Sequence, residues 1–124
     1  MIFINTKLKG LYKISHEVLH DDRGSISHQF NKQEYERRKI KIEPEQILHH
    51  KTLKKQTLRG IHYSLPPYSE SKLVIPITGI MFWVVVDLRK SSKTFGDWES
   101  FNLEANKVSF FAESGFGHGC LSLT

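Results

Sequence analysis

The stretch Leu73-Val74-Ile75-Pro76-Ile77-Thr78-Gly79-Ile80-Met81-Phe82-Trp83-Val84-Val85-Val86 decides the fold class. Two runs rich in β-branched and aromatic residues flank Thr78-Gly79, a pattern that predicts two strands joined in a hairpin. It does not predict a membrane helix. Between Leu73 and Leu88 it is interrupted by Pro76, Gly79 and Asp87, and it is shorter than the ~20 apolar residues a span requires. Downstream, Ser91 to Gly96 reads as a polar loop before a strand from Trp98 to Leu103. Glu104-Ala105-Asn106-Lys107 reads as a turn into Val108-Ser109-Phe110-Phe111. Upstream, only Lys32 to Lys39 looks helical, and it is short and highly charged. Short, closely spaced strands with turns between them predict an all-β sandwich or barrel. At the other end, Cys120-Leu121-Ser122-Leu123-Thr124 alternates like a strand and stops, which predicts a bare sheet edge.

The 124 residues make one domain, with room for a real core but not for two. Hydrophobic content of 39% and charged content of 25% are ordinary for a soluble globular protein. The one cysteine, Cys120, has no partner for an internal disulfide, which fits a reducing cytosol, and its apolar neighbours suit a small core residue. The N-terminal residues lack the basic and long apolar regions of a signal peptide. Lys and Arg total 18 against 13 acidic residues, so the net charge of +5 favours anionic partners. Basic runs occur at Arg37-Arg38-Lys39 and from Lys51 to Arg59, but neither carries a nucleic-acid recognition motif. A phosphorylated small molecule satisfies the same charge.

The chemistry concentrates in Leu58-Arg59-Gly60-Ile61-His62-Tyr63, followed by Lys72. Arginine suits phosphate oxygens, neutral histidine takes up a proton near pH 7, and lysine steadies an oxyanion as a point charge. One strand carrying Arg59 and His62 and a second carrying Lys72 would present all three to one cavity. Their spacing alone equally fits solvated surface cations and a satisfied core histidine.

Six segments occur in one order: Asp22-Arg23-Gly24, Leu58-Arg59-Gly60-Ile61-His62-Tyr63, Lys72-Leu73-Val74, Val86-Asp87-Leu88-Arg89, Ser92-Lys93-Thr94-Phe95-Gly96-Asp97-Trp98 and Gly115-Phe116-Gly117-His118-Gly119. This series resembles the dTDP-4-dehydrorhamnose 3,5-epimerase family of the cupin superfamily, and the resemblance runs nearly the whole length of the chain. It implies a single cupin domain over residues 1–124, a jelly roll incomplete at the C-terminus, because family members continue for some tens of residues. That further segment carries a catalytic tyrosine and an aspartate that pairs with the catalytic histidine.

The resemblance also implies an activity: epimerisation of a nucleotide-linked 4-keto-6-deoxy sugar in deoxysugar and polysaccharide biosynthesis. His62 would be the base and Lys72 would hold the enolate oxygen. Arg59 would bind the diphosphate, and His118 would line the substrate pocket. Arg23 would reach across a homodimer interface to the partner's nucleotide. His28 would stand in the substrate site where the family has Glu. No cofactor is implied, and the protein would be cytoplasmic. The competing reading is a cupin that binds nucleotide sugars without turning them over.

Other departures from the family pattern lie around the site. Counted back from Arg59, Ile47 and His49 stand where the family places a nucleobase-contacting Gln and Asn. Ser64 stands for the Gln after His-Tyr, and Glu113 for the Pro before Gly-Phe. A metal cupin would need closely spaced histidines plus a carboxylate. His62-Tyr63-Ser64 lacks the second histidine, and adjacent His49 and His50 would point to opposite faces of a strand. Asp87 is expected to satisfy a turn, and Phe95-Gly96 and Trp98 to pack a loop.

Overall fold

The computed structural model describes residues 1–124. Ten strands and one short helix follow in the order β1 (Ile2–Asn5), β2 (Leu11–Ser15), β3 (Val18–Asp21), β4 (Gly24–Ser27), α1 (Lys32–Arg37), β5 (Leu58–His62), β6 (Lys72–Val74), β7 (Ile80–Asp87), β8 (Trp98–Glu104), β9 (Val108–Ala112) and β10 (Phe116–Ser122). Eight strands form two antiparallel four-stranded sheets, ordered β1-β2-β9-β6 and β5-β10-β7-β8. β3 and β4 form a separate hairpin. The fold is all-β, as the strand-and-turn pattern predicts.

The two sheets face each other across one core. In β7, Trp83 pairs with Phe101 and Met81 with Leu103, so these residues and Val85 share the inner face. From the other sheet, Val74 pairs with Phe110 and Lys72 with Ala112, so β6 turns Lys72 and Val74 inward. Leu8, Leu11, Val85, Phe101, Leu103, Phe110, Ala112 and Phe116 are buried together, with Trp83, Val74 and Val108 packed against them. β9 is also buried on its outer face. There Phe111 joins Phe3, Ile14, Tyr35 and Ile40.

Helix α1 closes this second core. Asn31 caps it by accepting from the Gln33 amide, Glu34 sits in the first turn and Arg37 in the last, all favourable to a short helix. Its one buried residue, Tyr35, meets Phe3 edge-on with ring centroids 4.9 Å apart.

Asp87 ends β7 completely buried, and it does satisfy a turn. Arg89, Ser92 and Thr94 side chains all donate to its carboxylate, as does the Arg89 amide. Burial alone would raise this acid, but the donors hold it well below the usual carboxylate range.

Three expectations need correction. The runs on either side of Thr78-Gly79 are not a hairpin: β6 pairs with β9 and β7 with β10 and β8, in different sheets. Pro76 has no amide to offer a ladder, so pairing lapses there and the chain crosses between layers. Nor is the last strand an edge, because β10 lies between β5 and β7. Phe95 and Trp98, expected to pack the loop, leave 53% and 56% of their surface exposed.

Candidate active site

The sequence Arg59-Gly60-Ile61-His62 makes its contribution through an irregularity. His62 pairs with His118 and Arg59 with Cys120, so three steps along β5 match two along β10. In a regular strand Arg59 and His62 would point to opposite faces. The extra residue of this bulge brings both to the face carrying His118 and Cys120. Gly60 makes the bulge possible. Its φ is +91°, and a Cβ there would come 2.7 Å from the His118 carbonyl oxygen.

The site therefore assembles from both sheets. His62 and His118 lie with ring centroids 6.4 Å apart. Lys72 faces them from β6 in the opposite sheet, ion-paired to Glu70 with N···O 3.3 Å. Burial, then the neighbouring basic groups of Lys72 and His62, push the His118 imidazole down to about 4, so it is neutral at physiological pH. Arg59 is exposed and its Nε donates to the Thr52 hydroxyl at 3.3 Å. Its guanidinium is close enough to oppose the rise that burial imposes on the Cys120 thiol. Cys120 is a buried core residue, as expected. No three His, Cys, Asp or Glu side chains gather in a metal-holding arrangement.

Arg23 and His28 are not brought to this cluster. Arg23 sits at the tip of the β3–β4 hairpin, with its side chain 86% exposed and paired to Asp21 at 2.6 Å. That partner lowers the Asp21 carboxyl. The His28 carbonyl accepts from His16 Nδ1 at 2.7 Å, which leaves His16 Nε2 to accept from the Ser109 hydroxyl at 2.7 Å. His16 thus ties the base of the hairpin to β9, and burial lowers its basicity.

Trp83 is the residue that sequence reasoning passed over. Its ring stacks on His118, centroids 5.9 Å apart and planes 18° from parallel. Phe110 holds it from another side at 5.7 Å. The available signal was the residue type. A tryptophan inside a valine run carries an N–H that needs a partner when buried.

The family model of dTDP-4-dehydrorhamnose 3,5-epimerase matches residues 5–124. A dTDP-4-dehydrorhamnose 3,5-epimerase of Shigella flexneri is 38% identical over 123 residues, covering 96% of this chain and 66% of that protein. An epimerase structure from Mycobacterium tuberculosis superposes with a TM-score of 0.90 at 27% identity, covering all 100% of this chain and 62% of that one. A dTDP-6-deoxy-D-glucose-3,5-epimerase from Legionella pneumophila, solved with dTDP-4-keto-L-rhamnose, gives a TM-score of 0.81 at 32% identity, over 99% of this chain and 65% of its own. The chain thus spans about two thirds of the length of these relatives. Sequence match, shared fold and coverage of nearly every residue agree: the chain belongs to the dTDP-4-dehydrorhamnose 3,5-epimerase family.

Proposed function

We propose that the protein acts on a nucleotide-linked 4-keto-6-deoxy sugar and removes a proton from the carbon next to the ketone. The observation that carries this reading is the bulge at Gly60, which turns Arg59 and His62 to one face while Lys72 approaches from the opposite sheet. A ketone at C4 acidifies the hydrogens at C3 and C5, and their removal leaves an enolate. His62 is exposed and free to take the proton as general base. The Lys72 ammonium compensates charge developing on the C4 oxygen. Arg59 offers the planar donor fork that suits a diphosphate.

The Leu19 and Ile26 side chains on the β3–β4 hairpin, 59% and 67% exposed, support a second role for that arm. In a homodimer it carries Arg23 to the partner's nucleotide; a folded monomer in light scattering at micromolar concentration would remove Arg23 from the site. No helix is long and apolar enough to cross a membrane. We place the protein in the cytoplasm, whose reducing conditions suit its one free cysteine.

The test is solvent exchange. With a dTDP-linked 4-keto-6-deoxy sugar in deuterated buffer, NMR should show deuterium entering at C3 or C5. Tight binding without any exchange would favour the binding-only cupin.

A further inference from the structure

Two polar atoms in the core between the sheets lack a partner: Trp83 Nε1 and His118 Nε2. They belong to rings stacked on each other, and the Trp83 ring is also held edge-on by Phe110. The indole N–H can only donate. A neutral imidazole can accept at Nε2, and burial beside two basic groups keeps His118 neutral. Buried polar groups are nearly always hydrogen-bonded, so orphan atoms on two stacked rings in a candidate site point to a ligand that completes both.

We propose that Trp83 is a substrate-reading residue, its indole N–H and His118 Nε2 together binding one hydroxyl group of the hexose. A hydroxyl accepts from one atom and donates to the other, which neither a ketone nor a phosphate oxygen does. The division of charge supports the same assignment. Arg59 and Lys72 are the cations of the site and suit the diphosphate and the enolate oxygen, leaving the neutral Trp83–His118 pair for a neutral group. The proposal rests on the nucleotide-sugar reading and adds to it the residue that recognises the sugar itself.

The chain has two tryptophans, Trp83 and the exposed Trp98, so two indole N–H resonances report directly. Trp98→Phe assigns them. Titration of wild type with dTDP-quinovose should move the Trp83 resonance downfield, while dTDP alone should leave it in place. By calorimetry, Trp83→Phe, which retains a ring against His118 and Phe110, should bind dTDP as wild type does. It should bind dTDP-quinovose roughly three- to tenfold more weakly, the effect of one lost neutral hydrogen bond. An unmoved Trp83 resonance at saturation with dTDP-quinovose overturns the proposal and spares the nucleotide-sugar reading. So does an equal shift with dTDP alone. Failure of both ligands to bind overturns that reading and the Trp83 assignment with it.

Discussion

Arg59 and His62 lie three residues apart on one strand and yet face the same way, because Cys120 and His118, their partners, are only two apart. The whole candidate site depends on that mismatch. It lets one strand present a cation and a base together, and it rests on the one residue type that tolerates both the φ of +91° and the approach of the β10 backbone.

Gly60→Ala should therefore damage site and stability together. The added Cβ meets backbone, the His118 carbonyl and Gly119 Cα, neither of which can swing aside as a side chain could. The strain should cost roughly 1–3 kcal/mol. Urea denaturation should show a lowered midpoint, and calorimetry a weakened affinity for dTDP.

Arg59→Ala should weaken dTDP binding by about tenfold or more, since a charge-assisted hydrogen bond contributes roughly 1.5–3 kcal/mol. The side chain is exposed and its one hydrogen bond is to Thr52, so the variant should denature with the wild-type midpoint. Equal affinity in wild type and variant would contradict the role given to Arg59.

How far this could be read from the sequence depended on the scale of the feature. The Ile80–Val86 run reveals a strand because its apolar density is local. Its partners are not local. The run before Pro76 looked like the other arm of a hairpin, yet it belongs to the opposite sheet, and nothing in Thr78-Gly79 distinguishes a tight turn from a crossover. The residues Arg59, His62 and Lys72 were readable as chemistry, but a regular strand would have separated the first two. The bulge that unites them is a register effect set by β10, more than fifty positions later in the chain. Trp83 stayed hidden for a similar reason: its significance comes from the ring it stacks on and the partner it lacks.

Asp87→Asn should destabilise by about 3 kcal/mol or more, the typical cost of breaking a buried charged pair. It leaves Arg89 facing a neutral amide and replaces one of the two acceptor oxygens shared among Arg89, Ser92 and Thr94 with a donor. Because the folded-state acidity of Asp87 is depressed, its contribution is present above the unfolded carboxylate pKa and is lost as the pH falls through the folded one. Thermal melts from pH 7 to pH 2 should show wild type losing stability in acid and the variant losing less.

His118 should add a second acid-sensitive contribution, higher on the pH scale. Its pKa is about 4 in the folded protein against 6.5 for the free group. The unfolded chain therefore takes up a proton through this window while the folded protein does not, and stability falls as the pH drops from 6.5 toward 4. His118→Gln should flatten that slope. The slope that remains should belong partly to His16, which burial also makes less basic.

Whether His62 removes the proton is decided by comparing wild type with His62→Ala. A dTDP-linked 4-keto-6-deoxy sugar is incubated in deuterated buffer with wild type or His62→Ala at saturating substrate, and deuterium at C3 and C5 is followed by NMR. A positioned general base contributes typically 10²- to 10⁴-fold. Wild type should exchange, the variant should lose exchange by roughly that factor, and its dTDP affinity should stay within about threefold because Arg59 is untouched. Exchange by His62→Ala at the wild-type rate would contradict the role given to His62 and assign the base to another residue.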